Sequence, residues 1–418
     1  MPTDIDRAAV AALAREPVDW RFKGLPPSWA GRTVAQLRAE RPRLFDHGPT
    51  GPLCTLDNEA VEHNLATMAD WCRRAGVLLA PHGKTHMAPQ LFERQLDAGA
   101  CAITVATVSQ ARVCRAFGVR DVIMANQLLD AAGLRWVADE LAADREFGFV
   151  CWVDSVRGVQ VMSTELAELG TRRPVDVCVE VGMQHGRTGC RSAAEVDEVA
   201  QAAAASPQLR LVGVCGYEAA HGHDVTARAL DRVTAFLTDI RAAVRRLTGL
   251  FQADEILVTA GGSTYFDAVA EVLTGWPAGH AVRTVLRSGA YLTHDEGLYE
   301  RTSPMSRAGA TPFRPALSVR AQVVSRPEPD LAVLTMGRRD VSFDQDLPVP
   351  HKLAESRITK LNDQHAYLRL GPADQARVDV GRWLEFGISH PCTVFDKWQL
   401  IPVLDADGHV VDLIRTFF

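Results

Sequence analysis

The sequence predicts an α/β protein, a (β/α)8 TIM-like barrel with parallel strands followed by a second, C-terminal β domain. Three observations carry this prediction. Between about residues 77 and 291 one theme recurs: a short apolar run rich in β-branched residues, then a loop, then an amphipathic helical stretch. The runs are continuously apolar rather than alternating, as parallel strands buried on both faces are. After Asp295 the pattern changes, and Leu317–Val324 alternates apolar with polar as a half-buried strand does. A doubly wound open sheet is the other architecture built from such units, but eight of them in this length fit a barrel.

In chain order, residues 1–50 hold a short helix near Ile5–Arg15 and several prolines, and form an N-terminal segment with no assigned place. The barrel is assigned to residues 51–302. Its eight strands are read at residues 77–80, 102–105, 122–125, 149–153, 177–181, 211–215, 256–259 and 285–287. A linker rich in Pro, Gly and Ser follows near Ser303–Pro315, so the β domain takes residues 303–418.

Bulk composition narrows the function. With 418 residues, 47% hydrophobic and 23% charged, the chain has material for more than one core. A net charge of -6 without a basic run argues against a nucleic-acid partner. Residues 1–50 contain no apolar stretch resembling a signal core or a membrane span, which points to a cytoplasmic protein without membrane attachment. Nine cysteines form no C-x-x-C pair, and several lie inside apolar runs (Cys151, Cys178, Cys215), as reduced, buried thiols do. Small-molecule chemistry remains.

In a barrel the reactive groups gather at the C-terminal ends of the strands, where the βα loops converge. The first strand is followed by Pro81-His82-Gly83-Lys84-Thr85-His86. A strand-end lysine can form an imine with an aldehyde cofactor, although a surface lysine in a polar loop is the plainer alternative. The seventh strand ends in Thr259-Ala260-Gly261-Gly262-Ser263-Thr264, whose small residues let backbone N–H groups close around a phosphate, or merely make a tight turn. The eighth delivers Tyr291 in Arg287-Ser288-Gly289-Ala290-Tyr291, as a phosphate contact or a packed aromatic. After the fifth comes Gly182-Met183-Gln184-His185-Gly186-Arg187-Thr188-Gly189, where Arg187 can turn back to donate to the phenolate of a pyridoxal ring or pair on the surface. The sixth supplies Tyr217, which can meet the pyridine nitrogen or fill the barrel; His221 and His223 lie near it without an assigned role, as does His365 further on.

This order of motifs resembles fold-type III pyridoxal-phosphate enzymes, the alanine-racemase-like class. More narrowly, residues 81–86 and Ser389-His390-Pro391-Cys392-Thr393-Val394-Phe395-Asp396-Lys397-Trp398 resemble the D-serine dehydratase and D-threonine aldolase family, and Gly337–Asp344 is similar to a bacterial branch of amino-acid deaminases. The resemblance covers roughly residues 50–418. It implies pyridoxal 5'-phosphate on Lys84 as a Schiff base, with His82, Arg187, Tyr217, Gly261, Gly262, Ser263 and Tyr291 around it. It also implies a divalent metal on His390 and Cys392, and a head-to-tail homodimer with the active site at the subunit interface. Two residues apart, His390 and Cys392 share one side of an extended segment, and an imidazole with a thiolate favours Zn2+; from the residues alone a loop histidine beside a buried thiol is the alternative. In the family a cysteine at the second ligand position goes with dehydratases and an aspartate with aldolases. The expected reaction is therefore dehydration and deamination of a D-3-hydroxy amino acid such as D-serine, with metal-dependent aldol cleavage or racemisation as alternatives. The family often has Arg before Pro-His and Lys after Lys-Thr-His, where this chain has Ala80 and Met87, so the preferred hydroxy amino acid stays open.

Overall fold

The computed structural model describes residues 4–277, 279, 281–309 and 311–418. It divides into two compact units that interleave along the chain. Of the described residues, the first comprises residues 4–6, then Ala69–Lys84 and Gln95–Gly289; the second comprises Arg7–Met68, Thr85–Arg94 and Ala290–Phe418.

The first unit is the barrel. Its strands are Leu78–Leu79, Ile103–Val105, Asp121–Gln127, Gly148–Val153, Val175–Val181, Leu209–Gly216, Ile256–Ala260 and Val282–Leu286, each parallel to its neighbour. The first strand closes the ring: Ala80 N–H donates to Leu286 O (2.8 Å) on one side, and Cys101 N–H to Leu79 O (2.8 Å) on the other. Mostly small and medium side chains fill the interior, among them Ala80, Ala102, Ile123, Cys178, Cys215 and Leu257, with one large ring, Trp152. Helix starts are set at the mouth by sequence. Thr107, Asp130, Ser155 and Ser192 each follow a strand and accept the N–H three residues on, capping helices Val108–Ala116, Ala131–Ala143, Val156–Glu168 and Ala193–Ala205.

The second unit is built on a mixed sheet. Strand Leu53–Asp57 lies between Leu317–Glu328, its antiparallel partner, and Leu400–Leu404, its parallel one. By their contacts, residues 51–68 and 290–302, read from sequence with the barrel, group with the second unit. The physical reason is that Leu53–Leu56 is buried throughout, as a central strand must be, but between partners of the other sheet. The N-terminal segment also finds its place. Val18, Phe22, Leu25, Trp29, Leu37 and Leu44 form one core cluster with Leu53, Leu400, Leu404, Val410 and Leu413. Each such fully buried side chain contributes roughly 1.5–3 kcal/mol of transfer free energy. The predicted first helix appears as Arg7–Ala12 with a 3-10 turn, Leu13–Arg15. Leu317–Glu328 shows the expected alternation in its first half, of buried with half-buried residues. Among the described residues no helix is long and apolar enough to cross a membrane.

Candidate active site

At the barrel mouth the first strand continues to His82, whose N–H donates to Arg287 O (3.2 Å), while Thr104 N–H donates to Pro81 O (2.9 Å). A single 3-10 turn, Gly83–Thr85, then presents Lys84. Burial pushes the His82 imidazole well below its ordinary value, and the positive charges of Lys84, Arg287 and Arg187 push it further. His82 is therefore neutral, and its buried Nδ1 has no hydrogen-bond partner.

Arg287, at the end of the eighth strand, is the residue that motif reading passed over. It is 4% exposed, donates to Thr259 Oγ1 (2.7 Å) and Gly216 O (2.7 Å), and lies over the Trp152 ring at 5.5 Å. It ties together the ends of strands six, seven and eight, with its buried Nε unpartnered. The available signal was a charged residue directly ending an apolar strand. A mouth with three cations around a neutral imidazole and unsatisfied buried nitrogens has the polarity to receive an anionic group.

Arg187 and Tyr217, expected separately, come together: the exposed guanidinium lies 4.8 Å over the Tyr217 ring. The glycine loop is built differently from the expected cradle. Gly261 N–H and Gly262 N–H both donate to the fully buried Glu218 carboxylate, at 3.0 and 2.6 Å. These two amides are thus already engaged, and half-buried Ser263 follows them. Gly261 has φ +97°, which favours glycine there, and a Cβ on Gly262 would meet Tyr217 Cε2 at 3.1 Å, so that ring would have to give by a few tenths of an ångström. Beyond the loop His223 Nδ1 lies 2.8 Å from Thr264 Oγ1. His221 packs edge-on against Phe236.

In the second unit, the other histidine of the lysine motif is structural: His86 is fully buried between Phe92 and Phe395. Tyr291 belongs to this unit as well, 3% exposed, with its ring 6.0 Å from that of Phe313. His390 and Cys392 do come together, but not on an extended segment. His390 is left-handed (φ +61°), Pro391 is helical, and Cys392 opens the turn Cys392–Phe395. Burial alone would lower the His390 imidazole, yet the neighbouring Cys392 side chain and the Asp344 carboxylate, whose Oδ2 lies 2.5 Å from Nδ1, carry it up to about 9. The His390 backbone N–H donates to Asp295 Oδ2 (2.9 Å), and Cys392 Sγ lies 3.4 Å from Thr85 Oγ1. An imidazole and a thiol so paired are a donor set for a thiophilic divalent metal that displaces their shared proton. Among the described residues no group of three His, Cys, Asp or Glu that could hold a metal occurs.

Comparison with known proteins places this geometry. The alanine racemase N-terminal domain model matches residues 56–296, and the serine dehydratase domain model matches residues 316–404. A D-threonine aldolase of Arthrobacter sp is 30% identical over 365 residues, 87% of this chain and 90% of that protein. A D-threo-3-hydroxyaspartate dehydratase of Delftia sp. (strain HT23) is 26% identical over 397 residues, 86% of this chain and 95% of that protein. The crystal structure of D-threonine aldolase from Filomicrobium marinum superposes with a TM-score of 0.75 at 25% identity, covering 88% and 94% of the two chains. Matches of this length span both units, barrel and mixed sheet alike, and the relatives are lyases. The chain accordingly belongs to the D-serine dehydratase and D-threonine aldolase family of fold-type III pyridoxal-phosphate enzymes.

Proposed function

We propose that the chain is a pyridoxal-phosphate- and zinc-dependent dehydratase of D-3-hydroxy amino acids such as D-serine, yielding a keto acid and ammonia. The observation that carries this reading is the thiol of Cys392, two residues from His390, in the position where the family's dehydratases have cysteine and its aldolases aspartate. Pyridoxal phosphate, when bound, supplies an electron sink for charge developing at Cα, and zinc supplies Lewis acidity at the β-hydroxyl.

The chain's own residues do the rest. Lys84 would carry the cofactor, and its Nζ, once freed by substrate, takes the α-proton. Neutral His82 adds no fourth positive charge beside Lys84, Arg187 and Arg287, and its unpartnered Nδ1 is available to an incoming polar group. Glu218 already holds the Gly261 and Gly262 amides, so the phosphate would meet this turn at Ser263, and Tyr217 and Tyr291 are the further residues proposed for the cofactor. His390 and Cys392 would hold the zinc, leaving positions open for water and the substrate hydroxyl. Loss of the α-proton and the β-hydroxyl as water leaves an enamine, which a second water converts to keto acid and ammonia. A homodimer is part of the same proposal, checked by sedimentation.

Aldol cleavage to glycine and an aldehyde is the second reading, favoured by the 30% identity to a D-threonine aldolase. One product screen separates the two. The cofactor- and zinc-loaded protein is given D- and L-serine, threonine and 3-hydroxyaspartate, and keto acid, ammonia, glycine and aldehyde are measured. Keto acid with equimolar ammonia from a D-isomer is expected. Glycine and aldehyde instead would sink the dehydratase reading, and an inverted amino acid alone would make the protein a racemase.

A further inference from the structure

The segment leading to Asp344 belongs to no motif the reaction uses, yet it is stitched along the His390–Trp398 strip. Asp340, 2% exposed, accepts from Gly337 N–H (2.9 Å) and from Lys23 Nζ (2.7 Å), and its carbonyl accepts from Trp398 Nε1 (2.9 Å). The Lys23 ammonium also lies 4.0 Å from the Trp398 ring centre. Ser342 Oγ donates to Ser389 O. At its end, Asp344 Oδ2 lies 2.5 Å from His390 Nδ1, and Asp344 Oδ1 accepts from Thr393 Oγ1 (2.8 Å). The N-terminal arm carrying Lys23 and the segment carrying Asp344 thus hold opposite ends of one strip.

We propose that Asp344 is the positioning residue of the metal site: it accepts a hydrogen bond from His390 Nδ1–H, which keeps the proton on that nitrogen and leaves Nε2 as the nitrogen offered to the ion. An ionised carboxylate is an acceptor only, so beside Nδ1 it selects the tautomer protonated there. With both Asp344 oxygens engaged and the His390 backbone N–H fixed on Asp295, the ring has one nitrogen left for coordination. A histidine ligand whose other nitrogen donates to a carboxylate is oriented and made more basic, and removing such a partner costs about 10–100-fold in metal affinity. His390 is held at φ +61°, which a non-glycine residue adopts only when its surroundings hold it there. The inference rests on the zinc reading above.

The test uses the full chain stripped of metal, titrated with zinc against a chromophoric chelator, and a parallel sample loaded with cobalt(II). Asp344→Ala should weaken zinc binding about 10–100-fold. Asp344→Asn, whose amide oxygen still accepts from Nδ1, should lose less, and it keeps the shape of the site if the alanine variant folds poorly. The thiolate-to-cobalt charge-transfer band should persist in both, because Cys392 still binds. Unchanged zinc affinity in both variants, beside a wild type that binds, overturns the role of Asp344 alone. A cobalt spectrum that loses an oxygen ligand in Asp344→Asn makes Asp344 a ligand and overturns the positioning role. A wild type that takes up no zinc overturns this inference together with the zinc reading.

Discussion

Lys84 is the sole lysine between residues 51 and 302, so no neighbouring amine can replace it as the cofactor's anchor. Lys84→Ala should abolish turnover and remove the visible absorbance of bound cofactor; full activity in that variant ends the pyridoxal-phosphate reading. The second residue whose chemistry is separable is Cys392, because it lies in the other unit. Cys392→Ala should release zinc while the cofactor absorbance stays. Keto acid formation should fall on the order of a hundredfold or more, since Lewis-acid help at a leaving hydroxyl is worth several kcal/mol of transition-state stabilisation. Cys392→Asp keeps a metal-binding group of the aldolase kind, and some aldehyde product is expected. Unchanged zinc content in Cys392→Ala would move the racemase reading ahead. Lys84 was legible because a polar, lysine-bearing loop directly follows an apolar strand. Arg287 and Glu218 were not, because their roles depend on partners brought in by other strands: Thr259 and Gly216 for one, Gly261 and Gly262 for the other.

At the scale of elements, all eight barrel strands were legible, since strands buried on both faces leave an apolar run that needs no partner to be seen. The extended geometry expected for His390-Pro391-Cys392 was not found. A left-handed histidine followed by a helical turn leaves no periodic trace in three residues. A different cluster ties three elements of the second unit. His351 follows strand Val349–Pro350, its Nε2 lies 2.6 Å from Glu296 ahead of helix Leu298–Thr302, and its Nδ1 lies 3.9 Å from Glu385 on strand Trp383–Gly387. The hydrogen bond to Glu296, then the nearby Glu385 carboxylate, raises His351 to about 9. Burial works against the Glu385 charge, but the nearby His351 and Arg320 hold it down to about 2. The raised histidine stabilises fully below its unfolded value, about 6.5, and its contribution is lost as pH rises through about 9. The depressed carboxylate stabilises above its unfolded value, about 4.5, and is lost as pH falls through about 2. His351→Gln should therefore lower Tm most between about pH 4.5 and 6.5, by an amount equivalent to roughly 1–2 kcal/mol after allowing for partial solvent exposure. The gap between variant and parent should close by about pH 10. A gap independent of pH would mean that His351 acts by packing alone.

For the molecule as a whole, the feature the sequence hid is the interleaving. The backbone passes between the units after Asp6, Met68, Lys84, Arg94 and Gly289, so neither unit is a contiguous stretch. The strand Leu53–Asp57, buried over its first four residues, looks like any barrel strand, and its partners begin at Leu317 and Leu400, far beyond the reach of local pattern. The consequence is testable by cutting the chain at 302, where composition alone puts the domain boundary. Fragment 1–302 retains every barrel strand but loses both neighbours of Leu53–Asp57, leaving a strand with two unpaired edges. It also loses Leu400, Leu404, Val410 and Leu413 from the cluster that buries Trp29, Leu37 and Leu44, so those side chains face water as one apolar patch. Were the barrel an independent domain starting near 51, the fragment would stay soluble and melt cooperatively. With the observed topology it should instead aggregate or, when refolded, bind a hydrophobic dye and melt without a sharp transition, while the full chain melts sharply. A soluble 1–302 fragment with a sharp transition and a fixed near-ultraviolet spectrum would refute the dependence, because residues 7–68 would then have found other cover for their apolar faces.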